Sequence, residues 1–390
     1  MTREMRVAVL GAGGTIAPAI VRDLAESEEV RDLRLLDLDE SRAERTASLY
    51  GGAKARAAFV DARAAGGDTG SLAQALEGCD VLVNSASYRV NLDAMRASLE
   101  AGCHYLDLGG LYWMTDRQLE LGPEFERAGL LALLGMGSAP GKTNLMASMA
   151  VSKLREQGGD HPPTAGAGAK QVGGIDSVHV SAAGRDLDPP AGFSVPYALR
   201  TLLDEVTMRP VVLRDGIPEE IEPLSDGGPI DFGEPIGVGE TIHTIHSELR
   251  TFAESFGCRD ASFRLSLSAN LLSRLQELAG ASEAEIRRAE AQASAPSANT
   301  VAVHLVEASG GGHSVRVRAV TEPHEAWGFG GGVISTAAPA AAAVRLLAAG
   351  RVRELGVMPP ERCLEPHEMF AELERRGSRF ELSVPEEVRA

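Results

Sequence analysis

Near the amino terminus, Val7-Ala8-Val9-Leu10 runs directly into Gly11-Ala12-Gly13-Gly14-Thr15-Ile16-Ala17. An apolar strand that breaks at a glycine turn and restarts as a helix is built to hold a pyrophosphate. Gly11 permits the tight turn, Gly13 lets the backbone approach the anion, and the free N–H groups of the new helix face the charge. The pattern departs from G-x-G-x-x-G because position 16 is isoleucine, and it fits G-x-x-G-x-x-A through Gly11, Gly14 and Ala17 equally well. The next apolar strand ends at Asp37, 24 residues beyond Gly13. A carboxylate there accepts hydrogen bonds from the adenosine ribose hydroxyls and repels a 2′-phosphate. The turn therefore reads as an NAD site, and Arg42 is the residue that keeps NADP open. Thr15 and Ile16 in the turn, Asp61 after the third strand, Ser85 and Ala86 after the fourth, and Asn144 complete the expected cofactor set.

In an open parallel sheet, chemistry belongs at the carboxyl ends of the strands. Those ends are Asn84–Asn91, Asp107–Trp113 and Gly135–Asn144, all rich in glycine and polar groups. They also hold Tyr88, Tyr112 and Trp113, in a chain with only 4% aromatic residues. Asp107 is placed to hold a substrate ammonium or shuttle its proton, or else to cap the backbone N–H groups of Gly109 and Gly110. Tyr88 offers a phenol and Tyr112 lines the pocket. Arg89 and Lys142 are the candidate clamps for a substrate carboxylate, although Arg89 could instead pair with Asp93 one turn on. Asn144 also reads as a helix N-cap. Gly137–Thr143 resembles a phosphate-binding P-loop superficially, but it has one residue too few between its glycines and a proline where a cradling N–H is needed. A nucleoside triphosphate is not expected there.

These loops need a scaffold, and the pattern supplies one. Short apolar strands at Val7–Leu10, Leu33–Asp37, Ala58–Val60, Val81–Asn84, Tyr105–Leu108 and Leu131–Leu134 alternate with helical stretches. That alternation predicts an α/β fold opening with a doubly wound parallel Rossmann sheet over residues 1–145. Gly158–Gly174 reads as a linker, and the chain beyond it turns strand-rich, with a hairpin at Ser309–Gly312. A second α+β domain on a mixed, largely antiparallel sheet is expected over 146–330, and a helical return over 331–390 that packs on the first domain. The alanine-rich run Ser335–Ala349 reads as a buried helix.

The whole chain bounds the rest. Its 390 residues carry 38 basic and 55 acidic side chains, a net charge of −17. Nucleic acid and anionic membrane surfaces both need basic patches, so neither is an expected partner. Cys79, Cys103, Cys258 and Cys363 form no C-x-x-C pair and no zinc-like spacing, so no metal is expected. No signal peptide or membrane span is legible, and a cytoplasmic location is expected.

Four segments in order carry a family resemblance: Gly11–Gly14, Asp80–Ala86, His104–Gly110 and Gly135–Asn144. Together they resemble the saccharopine dehydrogenase family, closest to its bacterial lysine 6-dehydrogenases. Weaker likenesses run through Phe193-Ser194, Arg214–Gly216, Glu240–Thr244 and Gly356–Glu361. The resemblance implies hydride transfer between an amino-acid C–N carbon and a nicotinamide, and a homodimer. For lysine, the ε-amine would be oxidised to an imine that hydrolyses to the semialdehyde and cyclises. An ammonium with a free pKa near ~10.4 must first lose its proton, so a base is required. The match at Glu240–Thr244 implies His243 for that work, with His246 second to it. Ser87–Arg89, Leu111–Trp113 and Trp327–Gly332 depart from the lysine enzymes where specificity is expected to be set. Two other readings stay open: reductive joining of an amine to an aldehyde, as in saccharopine or carboxyspermidine-type enzymes, and a dinucleotide-binding regulator without catalysis.

Overall fold

The computed structural model describes residues 4–63, 70–157 and 174–384. The expected linker at 158–174 lies almost wholly outside them. Six strands lead the chain: β1 Met5–Leu10, β2 Val30–Asp37, β3 Ala55–Phe59, β4 Val81–Asn84, β5 His104–Asp107 and β6 Leu131–Leu133. Ten more follow: β7 Ser177–Asp186, β8 Val211–Arg214, β9 Ile217–Glu220, β10 Asp226–Asp231, β11 Val238–His243, β12 Asp260–Ser266, β13 Thr300–Gly310, β14 His313–Thr321, β15 Gly356–Met358 and β16 Ser378–Ser383.

The first sheet has seven parallel strands in the order β15-β6-β5-β4-β1-β2-β3. Its strands are continuous apolar runs because helices cover both faces; Val7, Val9, Leu33, Leu35, Val81 and Val83 are almost wholly buried. The direction of strand order reverses between β1 and β4, and the crevice at such a reversal is where ligands of this architecture bind. The expected Rossmann domain is therefore present, with one addition. The return over 331–390 is not only helical: β15 joins the edge of the first sheet beside β6, and β16 joins the second sheet beside β14.

The second sheet follows the path β10-β11-β12-β7-β13-β14-β16, with β8 and β9 branching from β12. Only β12 and β7 run parallel; every other described pair is antiparallel. The inner face of this sheet carries Val178, Val180, Phe263 and Val306, and helix Lys142–Gln157 packs against β13 and β14. Helix Gly331–Ala348 lies between that sheet and helix Ala17–Glu26 of the first domain. Its alanines are what permit close approach on both sides, and Ala340–Ala343 are at most 1% exposed. By length and composition this helix could cross a membrane, but 78% of it is buried within the protein. The expected buried helix is there. Arg345 near its end pairs with Asp23 at 2.7 Å and with Glu372 at 2.6 Å, which ties the return to the first domain.

Candidate active site

The glycine turn sits at the reversal point of the first sheet. Gly11 has φ +77°, and a Cβ there would fall 2.7 Å from the backbone of Ala86 at the end of β4. Ser85 closes the same corner, donating its N–H at 2.9 Å and its hydroxyl at 2.7 Å to Leu10 O. Asp37 accepts from Gly13 N at 2.8 Å and from Asp39 N at 2.9 Å, so the carboxylate expected at the ribose also holds the turn in shape. Helix Ala17–Glu26 begins at Ile16 with no side-chain cap and no acidic residue in its first turn. Its positive end is thus left for an anion.

A cavity of about 330 Å³ opens beside the turn, lined by Gly13, Pro18, Arg42, Arg45, Thr46, Leu49 and Tyr50. Asp37 on one side disfavours a 2′-phosphate, while Arg42 and Arg45 attract one. Turn, helix end and cavity all fit a dinucleotide. Replacing Gly11 by alanine is expected to weaken NADH binding by more than tenfold, because the new Cβ meets backbone that cannot yield. Gly14→Ala, where the nearest atom is Gly11 O at 3.1 Å and φ is not positive, should be milder. Titration of NADH fluorescence checks both, and equal losses would refute the steric argument.

The three expected loops do converge, but not every side chain in them faces the crevice. Asp107 is 1% exposed and accepts from Gly109 N at 2.9 Å, Gly135 N at 2.7 Å, Tyr105 Oη at 3.0 Å, Asn91 Nδ2 at 3.2 Å and Gln118 Nε2 at 2.6 Å. Burial pushes its carboxyl up while these donors pull it down. This is the loop-capping role, with Gly135 taking the place expected for Gly110, and it leaves Asp107 no free lone pair for a substrate. Asn144 is also committed, accepting from Gly141 N at 2.8 Å and donating to Glu361 at 2.8 Å. Asp61 accepts from Arg63 N within its own loop, and Thr15 is exposed. Tyr112 is buried edge-on against Trp113.

Lys142 is the plainest correction. Its Nζ is wholly buried and donates to Ser335 Oγ at 2.6 Å and Thr321 Oγ1 at 3.2 Å, where helix Gly331–Ala348 meets the end of β14. Burial alone brings its pKa down from 10.5 to about 7. A lysine in that cage cannot clamp a substrate carboxylate. Trp327–Gly332 packs against the first domain. The Trp327 indole donates to Glu26 at 3.1 Å, and Phe329 packs 5.2 Å from Tyr50, beside the cofactor crevice.

The two histidines exchange places. His243 pairs across the ladder with Arg264, and both project from the outer face of the second sheet, because Arg264 alternates with the inward Phe263. The strand turns inward after His243. His246 then stacks on Phe263 at 3.4 Å and lies 3.3 Å from Glu248. Glu248 in turn accepts from Thr143 Oγ1 at 3.2 Å, so this segment abuts the third loop of the first domain. Glu205 completes the group and accepts from Tyr197 Oη. Burial lowers His246, but Glu248 and Glu205 more than offset it and leave the imidazole raised. Period-2 reasoning could have found this, had the end of β11 been legible.

Tyr88 and Arg89 both reach across to the second domain. Tyr88 Oη donates to Asp204 Oδ2 at 2.7 Å, and Arg89 pairs with the same oxygen rather than with Asp93. The guanidinium also lies over the Tyr88 ring, 5.0 Å from its centroid. Burial and the Asp204 carboxylate push the Tyr88 phenol up, so it acts as a donor and not as a phenolate. Among the described residues no group of three His, Cys, Asp or Glu side chains could hold a metal ion.

Comparison with known proteins gives the dinucleotide-binding domain a clear likeness. Residues 7–133 match the saccharopine dehydrogenase NADP-binding domain. Over that domain the chain is similar to the saccharopine dehydrogenase family. It is 26% identical over 294 residues to carboxyaminopropylagmatine dehydrogenase of Synechocystis, covering 74% of this chain and 68% of that one. Its fold is similar to two solved structures. One is saccharopine dehydrogenase (L-Glu forming) of Saccharomyces cerevisiae, with TM-score 0.68 and 14% identity over 98% of this chain and 100% of that one. The other is homospermidine synthase of Legionella pneumophila in complex with NAD, with TM-score 0.75 and 12% identity over 99% and 92%. The chain is an NAD(P)-dependent oxidoreductase.

Proposed function

We propose that this saccharopine dehydrogenase-family enzyme works on the C–N bond of a secondary amine whose substrate half carries a further cation. Run in reverse, it would join an amine to an aldehyde reductively. The observation that carries the reading is a set of second-domain carboxylates at the first-domain loops: Asp204 pairs with Arg89, Glu248 accepts from Thr143, and Glu205 stands beside Asp204. Lysine oxidation is disfavoured because Lys142 is caged, so a substrate carboxylate lacks one of its two expected partners. The names of the relatives support an amine-joining reaction over one on free lysine.

A bound nicotinamide supplies the hydride acceptor or donor at the reacting carbon. Within the chain, Gly11–Gly14 and the end of helix Ala17–Glu26 would hold the pyrophosphate, and Asp37 the adenosine ribose. His246 would take or return the proton at the reacting nitrogen, with Glu205 and Glu248 stabilising its charged form. In the oxidative direction the substrate carbon loses hydride, the nitrogen loses a proton, and water splits the resulting imine into carbonyl and free amine. NAD(P)H absorbance across a panel of amines, alone and with small aldehydes, tests the reading. Consumption of NAD(P)H only when amine and aldehyde are both present is the expected result. NADH formation from lysine alone would overturn it in favour of a lysine 6-dehydrogenase, and NAD(P) binding without turnover would favour a regulator.

A further inference from the structure

Asp204 joins the two domains through a carboxylate–guanidinium–aromatic contact. Its Oδ2 receives Tyr88 Oη at 2.7 Å and the Arg89 guanidinium, and that guanidinium also covers the Tyr88 ring at 5.0 Å. A planar cation held edge-on by a carboxylate and face-on by an aromatic ring is the recognition mode for guanidinium groups. The contact is partly withdrawn from water, with side-chain exposures of 34% for Arg89 and 19% for Asp204. Arg89 follows β4 in the loop that carries Ser85 and Ala86 beside the glycine turn, so the cation is seated next to the cofactor crevice. Asp204 lies on helix Leu199–Thr207, and its neighbour Glu205 is tied to the His246 segment by Ile245 N at 3.4 Å. On that segment Ser247 Oγ is buried without a hydrogen-bond partner, 3.7 Å from where a Cβ of Gly109 would stand.

We propose that Asp204 and Tyr88 are the seat for a guanidinium at the far end of the amine substrate, and that Arg89 holds this seat in the free protein. The inference rests on the proposed C–N chemistry and adds where the non-reacting end binds. Exchanging one guanidinium for another leaves Asp204 neutralised throughout, so the enzyme never exposes a bare half-buried carboxylate. The internal arginine lowers apparent affinity by competing, and it selects planar cations over ammonium groups or neutral tails. Arg89 can leave for solvent, being the more exposed partner.

The test is calorimetric binding of agmatine, putrescine and butylamine to the NAD-loaded enzyme, for wild type, Asp204→Asn, Tyr88→Phe and Arg89→Ala. Agmatine should bind wild type more tightly than the other two amines do. Asp204→Asn should lose at least tenfold for agmatine and little for butylamine, while Arg89→Ala should gain severalfold for agmatine alone. Melting curves separate unfolding from lost binding, and Tyr88→Phe, which keeps the ring, should lose less than Asp204→Asn. Agmatine binding that is absent in wild type, unchanged in Asp204→Asn or weakened in Arg89→Ala would overturn the inference. Turnover with other amines would then still leave the proposed chemistry standing. Agmatine binding that depends on Asp204, without turnover of any amine and aldehyde, would sink the chemistry instead.

Discussion

Asp107→Asn is expected to cost about 2–4 kcal/mol of stability and to loosen the three crevice loops together, without moving the pH profile of the remaining activity. The carboxylate accepts from five donors on four separate pieces of chain: Gly109 N, Gly135 N, Tyr105 Oη, Asn91 Nδ2 and Gln118 Nε2. An asparagine amide has one oxygen for that set, and its NH₂ group would face donors. Tyr105 Oη also accepts from Asn84 Nδ2 at 3.1 Å, and Asn84 Nδ2 donates to Asn91 Oδ1 at 2.9 Å, so the fault would spread along a buried chain beneath β4 and β5. Denaturant melts with and without NADH measure the loss. Intact stability combined with abolished turnover would return Asp107 to a catalytic role.

Lys142→Met should act in the opposite sense and depend on pH. The folded state holds this amine near 7, against 10.5 for a free lysine, because burial disfavours its charge and no carboxylate partners it. Between those values the unfolded chain binds more protons than the folded one, so wild-type stability should rise with pH from about 7 to 10.5. At or below pH 7 the whole penalty is present, as much as ~5 kcal/mol at ~1.4 kcal/mol per unit. Methionine removes the penalty and leaves Ser335 Oγ without its donor, for a net gain of about 1–3 kcal/mol at pH 7 that vanishes near pH 10. His304, buried nearby and pushed well down chiefly by its own burial, adds no second positive charge. Parallel stability curves for the two proteins from pH 6 to 10 would show that the cage holds a charged lysine after all.

The crevice joins a dinucleotide-binding scaffold to a wall from the second domain. The first domain brings the dinucleotide turn, and the second brings the carboxylates to which the proposed function assigns the substrate. Helix Gly331–Ala348 and the Asp23–Arg345–Glu372 contacts lock the return against both, so the wall is held in register with the loops. Arg250 adds a similar tie, reaching Asp116 at 2.5 Å.

What the sequence determined by itself is local. A strand, a turn and a helix are contiguous, so Gly11–Gly14 and Asp37 were legible as a dinucleotide site. Continuous apolar strands announced a sheet covered on both faces, and glycine-rich ends announced which loops would meet. What only the tertiary structure decided is long-range or a matter of face. Asp204 stands 115 residues from Arg89 and 116 from Tyr88, on a helix with no motif, so nothing in the spacing paired them. β15 and β16 come from a return that reads as helical, because three- and six-residue strands carry too little pattern to be seen. Lys142 and His243 have chemistry-bearing side chains beside the right motifs, yet one points into a dry hydroxyl cage and the other out of the sheet. Side-chain direction depends on where an element starts and ends, to within one residue. Periodicity reports the element, and packing chooses the face.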